Sequence, residues 1–187
     1  GKYNGYSTNG TKYFNMNHSS NTNAGGWKGC DLRYDVLGST NTNDGDATAA
    51  TATNPVANTL MAALPSDLRA VMQPMTIYTD NTGGGSDNAS YVTKTTDYLP
   101  LLAEYEIFGT RTYANSAEKN YQAQYAYYSA GNSKVKYCHS STSSTAWWWG
   151  RSPYYGNSNA FCIVSTGGDA NGNFARNSSG VAPAFRV

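Results

Sequence analysis

Residues 147–187 read WWWGRSPYYGNSNAFCIVSTGGDANGNFARNSSGVAPAFRV, and two kinds of position alternate in them. The first kind is typical of a buried scaffold: Trp147, Trp148, Arg151, Ser152, Pro153, Phe161, Val164, Gly172, Gly180, Val181, Pro183 and Phe185. The second kind has the residue types that binding loops use: Tyr154, Tyr155, Asn157, Asn159, Ala160, Ile163, Ser165, Thr166, Asp169, Asn171, Asn173, Phe174, Arg176 and Ser178. Because binding residues concentrate on loops held by a rigid scaffold, we predict that the second set points outward and contacts a ligand.

Strands are predicted around and within this stretch from short runs of apolar, aromatic or β-branched residues between turn signals. The runs are 75–79, 91–96, 135–139, 145–151, 161–164 and 181–187. The aromatic run 145–151 and the closing run 181–187 would hold the scaffold that carries the loops. In that scaffold we expect Trp148 and Phe185 to lie in the core.

Helix signals are confined to the earlier part of the chain. Pro55 stands at the first position of one predicted helix, and Ser66 and Ser116 cap two more. Three tyrosines fall at helical spacing after Ser116, which favours a packing face: Tyr121, Tyr125 and Tyr128. Two or three helices followed by an antiparallel β-rich end indicate the α+β class.

The composition excludes several classes of function. The 187 residues fit a single domain, and 13% of them are charged, with a net charge of +1 and no basic run. Binding to nucleic-acid phosphates is therefore not predicted, and no apolar stretch is long enough to predict membrane insertion. Cys30, Cys138 and Cys162 cannot all pair within one chain, so buried thiols with one disulfide at most are favoured.

No motif predicts catalysis or a metal site. His18 and His139 belong to no zinc-binding or nucleophile motif. Glu104 and Glu106 lie two residues apart and would share one face if this segment is a strand, where they could serve as a carboxylate pair for glycoside chemistry. A pair at the margin of a core segment is the favoured interpretation. We therefore predict a protein that is not an enzyme and has neither cofactor nor metal.

The motifs of the C-terminal stretch resemble those of a known family. WWWGRSP, the Asn-rich alternation and the ending GVAPAFRV are similar to the variable proteins of diversity-generating retroelements, as found in phages and prophages. The resemblance extends upstream through WKGCDLRYDVLG, ALPSDLRAVMQPMTIYTDNTGGGS and DYLPLLAEYEIFGTRTYANSAEKNYQAQYAYY. It covers most of the chain from about Trp27.

The resemblance implies a fold and a source of variation. The fold would be a C-type lectin fold of the formylglycine-generating-enzyme-like branch, with residues 1–187 as one domain and 147–187 as its scaffold strands and variable loops. An error-prone reverse transcriptase would change adenines in a copy of the C-terminal coding segment. Asn codons changed in this way never become Trp, Lys, Glu, Gln or Met, and none of those five occurs from Tyr154 to Ser179.

The resemblance also implies what the protein binds and where. It would be a receptor-binding domain of a hypervariable phage tail or bacterial surface protein, with a host-cell surface protein or glycan as its partner. Such proteins are often trimers or parts of larger assemblies. Two alternatives stay open: an enzyme on the same fold, and a fixed sugar-binding module that stacks sugars on Trp147, Trp149, Tyr154 and Tyr155.

Overall fold

A computed structural model describes residues 14–138 and 141–187, which form short helices and antiparallel strand pairs. The α+β class predicted from the sequence is therefore confirmed. Where two or three helices were predicted, the described residues contain five short α-helices, one π-helical turn and two 3-10 turns. In chain order these are the π turn Leu32–Val36, α1 (Ala49–Thr53), α2 (Leu60–Ala63), α3 (Ser66–Val71), the 3-10 turn Ala89–Tyr91, α4 (Glu104–Phe108), the 3-10 turn Ser116–Asn120 and α5 (Ala126–Ser129).

The strands form three separate antiparallel sheets. They are β1 (Met75–Asp80) with β2 (Val92–Asp97), β3 (Lys136–Cys138) with β4 (Ser141–Ala146), and β5 (Trp148–Pro153) with β6 (Ala160–Val164) and β7 (Ala170–Phe174). In the three-stranded sheet β6 is central, with Trp149 opposite Ile163 and Cys162 opposite Gly172. This sheet positions most of the residues predicted to bind a ligand.

The tryptophan run crosses a boundary between two sheets. The predicted strand 145–151 is divided, because β4 ends at Ala146 and β5 begins at Trp148. Trp147 lies at the junction and is 41% exposed, whereas Trp148 and Trp149 are buried. Successive strand residues face opposite sides, so these two indoles enter different core clusters. The prediction that Trp148 belongs to the core is confirmed.

The C-terminal segment differs from the prediction. Residues 181–187 form no strand, and Arg186 makes only an isolated bridge to Gln73. Pro183 cannot donate to a strand ladder, and the N–H of Ala184 bonds the carbonyl of Pro100 instead. Phe185 is 49% exposed, so the prediction that it lies in the core is wrong.

Two predicted helices also begin or end elsewhere. The helix expected from Pro55 starts only at Leu60, because Asn58 has a positive φ and Thr59 caps the first turn. After Ser116 the chain makes a single 3-10 turn that ends before Tyr121. The three tyrosines therefore do not share one face.

The exposure of those tyrosines shows the consequence. Tyr128 is buried, while Tyr121 and Tyr125 are about half exposed, so the predicted common packing face is wrong.

Within the described ranges, none of the helices has the length and apolar character that crossing a membrane requires.

Candidate functional site

The residues predicted to contact a ligand lie at both ends of the β5–β6–β7 sheet and along β7. Residues 154–159 follow β5, and residues 175–178 follow β7 at the same end. The turn 165–169 joins β6 to β7 at the opposite end. Because β6 has five residues at roughly 3.4 Å each, the two ends are more than about 13 Å apart.

Two of the predicted contact residues are buried inside the sheet. Ala160 is 3% exposed and Ile163 is 2% exposed, because both belong to the central strand β6. Ile163 is part of the main core with Trp149 and Phe161. The expectation that these two side chains point outward is therefore wrong, and we remove them from the candidate contact surface.

The loop 154–159 is fixed by one buried side chain, that of Asn23, which is 0% exposed. Its Nδ2 donates to the carbonyl oxygens of Tyr154, Asn157 and Ala160 at 3.2, 2.9 and 2.7 Å. Its Oδ1 accepts from the N–H of Gly84 at 2.8 Å. All four contacts involve the backbone of the partner, so this fixation of the loop does not depend on the identity of the loop side chains.

A glycine loop packs against the same segment. At Gly85 a Cβ would lie 2.8 Å from the backbone nitrogen of Ser158, and the φ of +74° also favours glycine. At Gly83 a Cβ would lie 1.9 Å from the carbonyl oxygen of Asn23. Gly83 and Gly85 thus allow two backbones to approach closely.

A second loop, residues 109–115, is fixed by Glu104. This carboxylate is 2% exposed and accepts the backbone N–H groups of Thr112, Tyr113 and Ala114 at 2.8–3.0 Å. The carbonyl of Tyr113 in turn accepts the N–H of Tyr155 at 2.9 Å. Again the loop is held through its backbone, and it brings Tyr113 against the loop 154–159.

Aromatic rings and one arginine meet where these loops converge. The rings of Tyr113 and Tyr154 pack edge to face at 4.8 Å. The guanidinium of Arg111 lies 3.8 Å from the centre of the Tyr155 ring and is 3.0 Å from the carboxylate of Asp87. Sequence reasoning missed Arg111, Asp87 and Tyr113, because nothing in their spacing indicates that three distant loops meet.

The ring of Tyr154 also covers part of the sheet. A Cβ at Gly172 would lie 2.9 Å from Cδ1 of Tyr154, so glycine is required for this contact. Tyr154 is half-buried between Gly172 and Tyr113. It therefore contributes to the scaffold as well as to the surface.

The end of β7 and the residues after it present several side chains to solvent from a fixed backbone. Ala175 is buried, and its N–H bonds the carbonyl of Asn159 at 2.8 Å. The carbonyl of Arg176 accepts from Nδ2 of Asn15 at 3.3 Å. The side chains of Phe174 and Arg176 are exposed, and Ser178 is exposed beside them.

Two asparagines of β7 protect the outer edge of the sheet. The register makes 161↔173 and 163↔171 the hydrogen-bonded pairs, so the N–H groups of Gly172 and Phe174 point away from β6. The Oδ1 of Asn171 accepts the N–H of Gly172 at 2.8 Å, and that of Asn173 accepts the N–H of Phe174 at 2.9 Å. These side chains satisfy donors that an edge strand would otherwise expose.

The turn at the opposite end is held by Ser165. Its Oγ accepts the N–H groups of Gly167 and Asp169 at 3.3 and 3.2 Å. Thr166 is half-buried and Asp169 is exposed. These three predicted contact residues share no loop with Tyr155 and Phe174, so a single small ligand would not reach both groups.

The acidic residues considered for catalysis have structural partners. Glu104 and Glu106 lie on α4, where Glu104 holds the backbone N–H groups described above. Glu106 accepts two hydrogen bonds from Arg151, at 2.6 and 2.8 Å, and both side chains are buried. Because the segment is helical, the condition for a shared strand face is not met.

The cysteines and histidines form no reactive cluster in the described residues. Cys30, Cys138 and Cys162 are free thiols, and burial raises the pKa of Cys30 to about 12. His18 contacts Asp35 through Nε2 at 2.8 Å, while His139 lies outside the described residues. Across residues 14–138 and 141–187, His, Cys, Asp and Glu side chains form no group of three suited to a metal ion.

Comparison with known proteins places nearly the whole chain in one family. A family model described as "Domain of unknown function (DUF6273)" matches residues 9–187. No curated protein and no solved structure matches the chain.

Proposed function

The chain belongs to this domain family, and we propose from its own surface that it is a ligand- or receptor-binding domain and not an enzyme. The observation that carries the proposal is the way in which the loop 154–159 is held. Buried Asn23 bonds the backbone of the loop, so substitutions of the exposed loop side chains leave these hydrogen bonds intact. A surface of this kind permits changes in specificity without loss of the fold.

The side chains at this end of the sheet support a binding role. Tyr155, Arg111 and Phe174 are of residue types that are enriched at protein interfaces. Asn157 and Asn159 add amide groups that both donate and accept hydrogen bonds. We propose this end of the sheet, together with residues 176–178, as the principal contact surface.

We further propose that the surface is diversified, as the resemblance to retroelement variable proteins implies. Twelve of the fourteen predicted positions are exposed or half-buried, since only Ala160 and Ile163 are buried. The proposal includes a C-type lectin fold and a location at a phage tail tip or bacterial surface. Its partner would be a host-cell surface protein or glycan.

The proposal is tested on DNA and on protein. The DNA beside the gene should hold a near-copy of the segment for residues 154–179 that differs at adenines, next to a reverse-transcriptase gene. A library randomised at Tyr155, Asn157, Asn159, Phe174 and Arg176 should yield folded variants that bind different cell-surface proteins. Without a near-copy, diversification is refuted, and a library of unfolded variants would refute the binding surface itself.

The alternative of a fixed sugar-binding site on the aromatic run is weakened by burial. Of its four rings, Trp149 is 0% exposed and its indole N–H bonds the carbonyl of Phe14 at 2.8 Å. Trp147 is exposed but lies at the other end of β5 from Tyr155. The four rings therefore do not form one stacking platform.

A further inference from the structure

An open cavity of about 270 Å³ lies apart from the proposed contact surface, between β1, the segment after the 3-10 turn Ser116–Asn120, and the C-terminal segment. None of the candidate residues between 154 and 178 lines it. Its volume is below the roughly 300–1,000 Å³ of sites for drug-sized ligands, so it suits a single small ring.

Partly exposed tyrosines form part of the wall of this cavity. Tyr121 is 55% exposed, although one face of its ring is stacked on Tyr78 at 4.3 Å. Tyr125 lines the same cavity and is 46% exposed. The sequence predicted both as packing residues, yet the structure leaves aromatic surface open to a ligand.

The floor of the cavity is polar but electrically balanced. Glu106 and Arg151 line it and neutralise each other through their paired hydrogen bonds. Behind them Glu118 is fully buried and accepts from Asp80, Ser152 and Gln122. Gln122 also lines the cavity, and its buried side-chain oxygen accepts no hydrogen bond among the described residues, so it can accept one from a ligand hydroxyl group.

Arg186 adds a positive charge at the cavity. Its backbone carbonyl is fixed by the N–H of Gln73 at 2.8 Å, which holds the residue beside Met75 and Tyr78. Among the described residues, its guanidinium has no ion-pair partner. A guanidinium of this kind is suited to hold a carboxylate through two parallel hydrogen bonds.

We propose that this cavity is a second ligand site, which takes one sugar ring bearing a carboxylate. The apolar face of the ring packs on Tyr121 and Tyr125, its hydroxyl groups face the polar floor, and its carboxylate pairs with Arg186. Because the cavity shares no residue with the proposed contact surface, its specificity does not change when that surface varies. The two proposals stand or fall separately.

Titration of the whole chain with glucuronate and with glucose, followed by NMR, tests this proposal. We expect saturable binding of glucuronate with a Kd on the order of 1 mM, and binding of glucose about tenfold weaker. Absence of saturable glucuronate binding would overturn the proposal. Equal binding of the two sugars would overturn the assigned role of Arg186 and the acidic ligand class.

Matched variants assign the binding to the cavity. Tyr121→Ala should abolish glucuronate binding, whereas Tyr127→Ala should retain it, because Tyr127 is 58% exposed and does not line the cavity. Arg186→Gln removes an exposed charge and should reduce glucuronate binding to the level of glucose. If Tyr121→Ala is unfolded in the NMR spectrum, Arg186→Gln alone decides: unchanged glucuronate binding refutes the site.

Discussion

The conformation of the loop 154–159 depends most on the side-chain amide of Asn23. Asn23→Ala should lower the free energy of unfolding by roughly 1–3 kcal/mol, because it removes four hydrogen bonds from a buried site. Asn23→Asp should cost more, since a carboxylate oxygen would replace the donor that faces three carbonyl oxygens. Urea denaturation measures both, and Asn159→Ala, at an exposed position, is the control. Equal stability of the Asn23→Ala and Asn159→Ala variants would contradict this role.

Substitution of Trp148 should lower the stability much more than substitution of Phe185. Trp148→Ala should cost about 3–5 kcal/mol, because the indole is 1% exposed and its N–H bonds the carbonyl of Lys134. Phe185→Ala should cost less than about 1 kcal/mol, because the ring is half exposed. Thermal melts of the two variants side by side check the difference, and similar melting temperatures would show that the C-terminal segment packs differently.

Glu118 introduces a dependence of stability on pH. Burial raises the pKa of this carboxyl from 4.5 to about 7 in the folded protein. The folded protein therefore binds the proton of Glu118 more tightly than the unfolded chain does. The resulting contribution to the free energy of unfolding is fully present below about pH 4.5 and is lost as the pH rises through about 7. Glu118→Gln should reduce the fall in unfolding free energy between about pH 5 and about pH 8, as measured by urea denaturation at each pH. An unchanged fall would mean that another group causes it.

At the scale of elements, asparagine side chains of β7 accept hydrogen bonds from the backbone N–H groups on the open edge of this strand. Replacing both Asn171 and Asn173 with Ala should accelerate amide hydrogen exchange at Gly172 and Phe174, because each N–H loses its only acceptor in the described residues. The double Asp variant retains an acceptor oxygen at both positions and is the matched control. Hydrogen exchange followed by NMR measures the effect, and equal rates in the two double variants would refute it.

At the scale of the whole molecule, substitutions at exposed positions should leave the stability nearly unchanged, whereas substitutions in the buried scaffold should lower it. Combined replacement of Asn159, Phe174, Arg176 and Ser178 by other residues should change stability by at most about 0.5 kcal/mol per site. Ala160→Tyr should cost several times more, because the central strand has no space for the ring. Melting temperatures of the two variants test this separation, and a mild Ala160→Tyr variant would return position 160 to the contact surface.

Much of the local structure could be predicted from the sequence. The runs 75–79, 91–96, 135–139 and 161–164 correspond to β1, β2, β3 and β6 within one or two residues, because alternation and turn residues are local signals. The helix at Ser66 was also predicted, since Pro65 ends the preceding segment. Residues after Ser116 were mispredicted, because tyrosine spacing does not reveal where a helix stops.

The C-terminal stretch by itself determined the buried strand 161–164 and the residue types that we propose for contact with a ligand. Only the tertiary structure decided which of those positions are exposed, since burial of Ala160 and Ile163 follows from β6 lying between β5 and β7. It also brought Asn23, Glu104 and Arg111 close to the loop that carries Tyr155. Those residues are distant in sequence, and their hydrogen bonds and ring contacts exist only when the loops fold together. Residue type is a local property, whereas burial and contact depend on what the rest of the chain places beside each residue.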